Sequence, residues 1–236
     1  MTPSRSRNLY NLSSSTRFKR WALRVTFRHI FRILCNINIV GIENIPKDGA
    51  YIIAYNHISL FEPPFILTFW PMPPEALGGA DVFDRPGQKI MVRAYGTIPV
   101  QRGQYNRKVI EIMLDLLEQG KPLMIAPEGG RSHTPGLQRA LPGVAYLMDQ
   151  TKVPVLPVGI VGSTHDLIKR AFRAERPRLE MRIGETFELP PITGKGKTRR
   201  QSRQTNADLV MRHIADLLPE DYRGVYADSE SLSPTD

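Results

Sequence analysis

Three short apolar runs in this chain each end at a polar or reactive group, and this repetition limits the fold more than any other feature. Residues 50–54 run into Asn56-His57, residues 97–100 into Gln101-Arg102, and residues 122–126 into Pro127-Glu128-Gly129-Gly130-Arg131-Ser132. A short apolar run bounded by turn residues reads as a buried strand. Helical patterns separate these runs. Residues 88–95 look helical and stop at Gly96. Residues 106–119 place Val109, Ile110, Met113, Leu116 and Leu117 on one face, with Gly120 after them as a C-terminal stop. Further strands are expected at 37–42, 77–80, 153–161 and 179–183, and further helices after Pro63-Pro64, at 143–149 and at 207–218. Pro154 and Pro157 put the 153–161 strand at a sheet margin or at a distortion. Strands alternating with helices predict a single α/β domain, with a mixed, largely parallel sheet and helices on both faces. An N-terminal amphipathic helix precedes it.

The chain of 236 residues is long enough for one such domain with a full core. The expected layout is a flexible tail over 1–16, an amphipathic helix over 17–35, the main domain over 36–222, and a flexible tail over 223–236. The single Cys35 excludes an internal disulfide and points to a reducing compartment. No Cys/His cluster has zinc-ligand spacing, so no metal is expected. No apolar run is long enough to span a bilayer, and charge interrupts residues 17–32 too often for a signal peptide.

The net charge of +9 is local. Residues 1–42 carry eight Lys or Arg and no acid, and residues 189–207 carry five and no acid. These two segments hold more positive charge than the whole chain's net, so the remainder is net acidic. A solvated loop is the favoured reading of 189–207. The N-terminal segment is different. Arg20, Arg24, Arg28 and Arg32 recur every four residues, while Phe18, Trp21, Val25, Phe27, Ile30, Phe31 and Leu34 fill the other sides. A helix with Arg on one face and aromatic or aliphatic residues on another can lie in a membrane interface. The competing reading is an ordinary amphipathic helix packed on the domain.

His57 and Glu62 place an imidazole and a carboxylate five residues apart. On a continuous helix such residues point about 140° apart. They meet only if His57 sits on a turn and Glu62 on the element after it. A His held by a carboxylate is a general base near neutral pH. Arg102 and Arg131, with backbone N–H groups freed by Gly129 and Gly130, suit an oxyanion such as phosphate. Ligands of open α/β sheets bind outside the carboxyl ends of strands, so neighbouring strands would bring these groups together. Glu128 either touches that ligand or ties down its own loop. Ser59 and Ser132 lack a nucleophile-elbow sequence and read as turn or cap serines.

Four segments in order carry a family resemblance: Asn56 to Glu62, Gly96 to Arg102, Pro127 to Ser132, and Val153 to Val158. Together they resemble the glycerolipid acyltransferases, most closely the bacterial 1-acylglycerol-3-phosphate acyltransferases, over about residues 36–190. The resemblance implies that His57 takes the proton from an acceptor hydroxyl and that Glu62 orients it. It implies that Arg102, Glu128, Gly129 and Arg131 hold the acceptor's glycerol phosphate. The implied donor is a fatty acyl thioester on coenzyme A or acyl carrier protein, with no covalent acyl-enzyme, metal or cofactor. The product would be phosphatidate. The implied location is peripheral, on the cytoplasmic face of the cell membrane. Two departures stand out: the family normally has Asp where Glu62 stands, and usually Thr where Gly130 stands. A different lysolipid or a glycolipid is therefore an alternative acceptor. A hydrolase and a basic lipid-binding protein with a degenerate site are the rival readings. Nucleic acid is not an expected partner, because aromatics are not interleaved with the basic residues of 189–207.

Overall fold

The computed structural model describes residues 9–101, 104 and 106–227. Seven strands form one sheet: β1 (Asn36–Val40), β2 (Ile52–Tyr55), β3 (Glu75–Gly79), β4 (Ile98–Val100), β5 (Leu123–Ile125), β6 (Val155–Val161) and β7 (Arg178–Ile183). Their spatial order is β1-β7-β6-β2-β5-β3-β4. Every neighbouring pair is parallel except β6 and β7. The helices are α1 (Ser14–Leu34), α2 (Glu62–Phe69), α3 (Gln88–Tyr95), α4 (Arg107–Glu118), α5 (Gly143–Thr151), α6 (Leu167–Phe172) and α7 (Gly196–Asp216).

Strand alternation divides the core into two layers. Ile52 and Ala54 of β2 point into a cluster with residues of α4, α5 and α7, whereas Ile53 and Tyr55 point into a cluster with residues of α1, α2, α3 and α6. Helices thus cover both faces, as the sequence predicts. Because β2 lies between β5 and β6 and runs parallel to both, the carboxyl ends of these three strands meet at one edge. That edge carries the candidate site.

Proline tolerance in β6 comes from distortion, not from a margin. β6 is an interior strand. Val155 bridges Phe187 and Val158 pairs Ile183, so three steps along β6 face four along its neighbour. The extra residue is a bulge, and Gly184 within it donates its N–H to Pro157 O at 2.9 Å. A bulge leaves ladder groups unpaired, which is where a residue without an N–H fits.

Three sequence expectations are corrected. Residues 9–16 are not a loose tail: the Leu9 N–H donates to Asp115 Oδ2 at 2.8 Å, the Tyr10 hydroxyl donates to Gly96 O, and Ser13 caps α1 by accepting from the Thr16 N–H at 3.1 Å. Residues 223–227 are not loose either, since Tyr226 is buried and its hydroxyl donates to Asp208 Oδ1 at 2.8 Å. Helix α7 begins at Gly196, well before the expected residue 207, so the basic segment is largely helical.

Three arginines of the α1 stripe, Arg20, Arg24 and Arg28, face inward, whereas Arg32 is exposed. Arg20 is buried and forks onto Glu75, with Nη1 to Oε1 at 3.1 Å and Nη2 to Oε2 at 2.6 Å; its Nε donates to Tyr95 O at 2.5 Å. Arg24 donates to the carbonyls of Leu67, Trp70 and Pro71, and Arg28 to that of Thr68. The last carbonyls of a helix have no intrahelical partner and carry partial negative charge. The stripe therefore closes the C-terminal end of α2. This leaves an apolar face of α1 exposed, with Phe18 at 66%, Trp21 at 60% and Ile33 at 70% of full exposure.

A buried, bidentate ion pair is costly to break on one side, because the remaining charge is stranded. Arg20→Ala is expected to lower unfolding stability by about 3–5 kcal/mol, measured by denaturant titration. The double variant Arg20→Met/Glu75→Leu should recover most of that loss. A single-variant loss under about 1 kcal/mol would contradict the buried pair.

Candidate active site

His57 lies on the turn after β2, and Glu62 is the first residue of α2. The turn between them brings the side chains together, with His57 Nδ1 2.9 Å from Glu62 Oε2. Glu62 is fully buried. Its other oxygen, Oε1, accepts from the Ser59 N–H at 2.8 Å, from the Ser59 hydroxyl at 3.1 Å and from the Ser163 hydroxyl. A carboxylate only accepts, so Nδ1 carries the ring proton and Nε2 is the basic nitrogen. The N-terminal end of α2 adds favourable field for the negative charge.

The backbone of His57 is gripped as firmly as its ring. Its N–H donates to Glu128 Oε1 at 2.8 Å, and its carbonyl accepts from the Ser132 N–H at 2.8 Å. The His133 N–H donates to Ile58 O at 3.2 Å. The loop of residues 127–133 is thus laced to the His57 turn. Asn56, also fully buried, bonds both backbone groups of Ile160 through its amide, at 2.7 and 3.0 Å, and ties the end of β2 to β6.

Glu128 bonds backbone with both oxygens, since Oε2 accepts from the Gln138 N–H at 2.9 Å. Burial pushes its pKa up from 4.5 to about 7, against the lowering by the Gln138 and His57 N–H groups, with the Glu62 charge adding a further rise. Gly129 adopts φ +72°, and a Cβ there would fall 2.3 Å from Leu141 Cδ1, so the turn needs glycine. Gly130 is different: a Cβ built there meets nothing within 4 Å.

His57, Gly129, Gly130 and Arg131 line one cavity of about 730 Å³. Most of its wall is apolar. One part is built by Leu23, Phe27, Leu67, Val82 and Met91, another by Ile110, Met113, Val144 and Leu147. Of the residues expected at the site, the structure brings His57, Glu62, Glu128, Gly129 and Arg131 together. Arg102 lies outside the described residues. Ser59 holds the carboxylate from its own turn, and the Ser132 hydroxyl donates to Thr134 O. Ser163 was not anticipated: it follows the end of β6, is fully buried, and touches Glu62 across a hundred residues of chain. The only sequence hint was its place after a predicted strand. Among the described residues no three His, Cys, Asp or Glu side chains cluster as a metal site would require.

A family model described as Acyltransferase matches residues 36–161, more than half of the chain. The chain belongs to the acyltransferase family. The match takes in the His57 turn, Glu62 and the 127–132 loop and stops two residues short of Ser163. The crystal structure of the 1-acyl-sn-glycerophosphate (LPA) acyltransferase, PlsC, from Thermotoga maritima is similar in fold, with a TM-score of 0.58 and 22% identity over 83% of this chain and 79% of that one. This acyltransferase is thus an enzyme of the same architecture. No helix among its described residues is long and apolar enough to cross a membrane.

The raised pKa of Glu128 has a consequence for stability. Between pH 4.5 and about 7 the folded state holds this proton more tightly than the unfolded chain. Stability must then fall as pH rises through that window, by up to about 3 kcal/mol. Glu128→Gln removes the titration. Measured by melts across pH, the wild type should lose stability relative to Glu128→Gln from pH 4.5 to 7. A difference independent of pH would contradict the burial assigned to this carboxyl.

Proposed function

We propose that this acyltransferase moves a fatty acyl group from a thioester to the free hydroxyl of a lysophospholipid, with 1-acylglycerol-3-phosphate as acceptor. The observation that carries the reading is the His57 ring, held by the buried Glu62, opening onto a largely apolar cavity beside the Arg131 loop. His57 Nε2 takes the proton from the acceptor hydroxyl as its oxygen attacks the thioester carbonyl. The C–O bond forms, the C–S bond breaks, and the proton passes to the leaving thiolate. Glu62 stabilises the imidazolium between these steps, as a triad carboxylate does. A thioester is already activated, so positioning and base catalysis suffice, and neither metal nor cofactor is invoked.

The acceptor phosphate is assigned to Arg131 and the backbone N–H groups of the Gly129-Gly130 turn, with Arg102 as a second guanidinium. Glu128 acts by holding that turn against His57. The fatty chains of donor and acceptor are assigned to the apolar walls. Both substrates are lipids, and the outward Phe18, Trp21, Val25 and Ile33 of α1 give the enzyme a face for the bilayer interface. Arg20, Arg24 and Arg28 do not make that contact, because they hold α2 and its neighbouring strand. We assign a peripheral position on the cytoplasmic face, where acyl thioesters are found.

The test is a transfer assay with a labelled acyl thioester and a panel of vesicle-borne lysolipids and glycolipids. Wild type should acylate lysophosphatidate at least about tenfold faster than neutral lysolipids. His57→Ala should lose at least about a thousandfold in kcat with the fold intact by circular dichroism. Trp21→Asp should lower activity on vesicles but not on monomeric short-chain acceptor. Retained turnover in His57→Ala, or preference for a neutral acceptor, would overturn the mechanism or the acceptor respectively.

A further inference from the structure

One cation in the cavity has no part in the acyl transfer described so far. Ala207, Val210, Met211 and Ile214 form the buried face of α7. Traced back by three and four residues along the helix, the same face carries Arg203, then Arg199 and Arg200. At that end α7 overhangs α5. Arg203 lies 5.1 Å over the ring of Tyr146, and Arg199 pairs with Asp149 at 3.3 Å. Arg203 lines the same cavity as His57. Its Nε is buried with no hydrogen-bond partner. Among the described residues no carboxylate lies within ion-pair distance of Arg203, Arg200 or Lys197.

A buried guanidinium N–H without an acceptor is costly to leave unmade, and phosphate matches its fork. We propose that Arg203, supported by Arg200 and Lys197, binds the phosphate of the phosphopantetheine arm that delivers the acyl thioester. The proposal rests on the thioester-dependent function. It gives the two anionic substrates separate cations. Glycerol phosphate holds its phosphate close to the reacting hydroxyl and is served by the Arg131 loop beside His57. The pantetheine arm holds its phosphate far from the sulfur, so that phosphate reaches a different element, α7. Coenzyme A and acyl carrier protein share this arm. The solvated-loop reading of the basic segment gives way to a phosphate track over the first turns of α7.

The experiment compares three donors of one acyl group: acyl-coenzyme A, acyl carrier protein, and the phosphate-free N-acetylcysteamine thioester. Each is run with wild type, Arg203→Gln, Arg203→Lys and Lys197→Ala/Arg200→Ala, with melting temperature as a check on folding. Arg203→Gln should raise KM for the phosphate-bearing donor by about tenfold or more, and Arg203→Lys by less. KM for lysophosphatidate should stay within about twofold. The wild type's advantage over Arg203→Gln should shrink by about tenfold with the phosphate-free thioester. The surface double variant should show the same pattern at smaller size, and the carrier and coenzyme A arms identify which donor is used. A shift in the lysophosphatidate KM instead, or an equal penalty on the phosphate-free donor, overturns the assignment. If wild type transfers from no donor, the function fails separately. Titration of coenzyme A into wild type and Arg203→Gln then decides the site alone, with about tenfold weaker binding expected and equal binding contradictory.

Discussion

A carboxylate with no exposure to water must have its negative charge matched by donors, and at Glu62 that requirement organises the active edge of the sheet. Ser59 supplies two donors from the same turn, Ser163 supplies one from the end of β6, and His57 supplies the last. Oε1 is pinned by three donors, and Oε2 is bonded to the His57 ring. Ser163 bonds Glu62 and does not itself line the cavity.

The scaffold converges on the same point. Parallel pairing of β2 with β5 and β6 sets three strand ends side by side. Asn56 fastens β2 to β6, Glu128 and Ser132 fasten the β5 loop to the His57 peptide, and Ser163 fastens the β6 end to Glu62. Each link is a buried polar group with its partner made, and a fully satisfied network of this kind holds one geometry. Further out, α1 braces α2, the helix that begins at Glu62, through guanidinium groups on its last carbonyls. One helix thus steadies α2 with its inner face and presents apolar side chains with its outer face.

Much of this was legible in the sequence where the signal is local. The strand-to-turn step at His57, the need for a turn before Glu62, the helix ended by Gly96 and the face shared by Val109, Met113 and Leu116 all rest on spacing within a dozen residues. What was not legible depends on distant partners. The arginines of α1 look unpaired along their own helix, because their partners are Glu75 and the carbonyls of α2, and carbonyls leave no mark in a sequence. The early turns of α7 lack an apolar stripe, so periodicity is silent there. They rest instead on propensity and on polar ties such as Gln204 to Ala140 O. Ser163 is one serine among many until β6 is placed beside β2. Tyr226 looks like part of a polar tail until its hydroxyl is seen against Asp208.

The central claim is that Glu62 works by holding the ring of His57 in one tautomer and by carrying the compensating charge when that ring is protonated. Glu62→Gln preserves size and can keep the contacts of the buried site, but it removes the charge and allows the wrong tautomer. The most direct measurement is therefore kcat and KM for acyl transfer by Glu62→Gln beside wild type. The predicted result is a fall in kcat of about a thousandfold or more with little change in either KM. A kcat within about tenfold of wild type would contradict it.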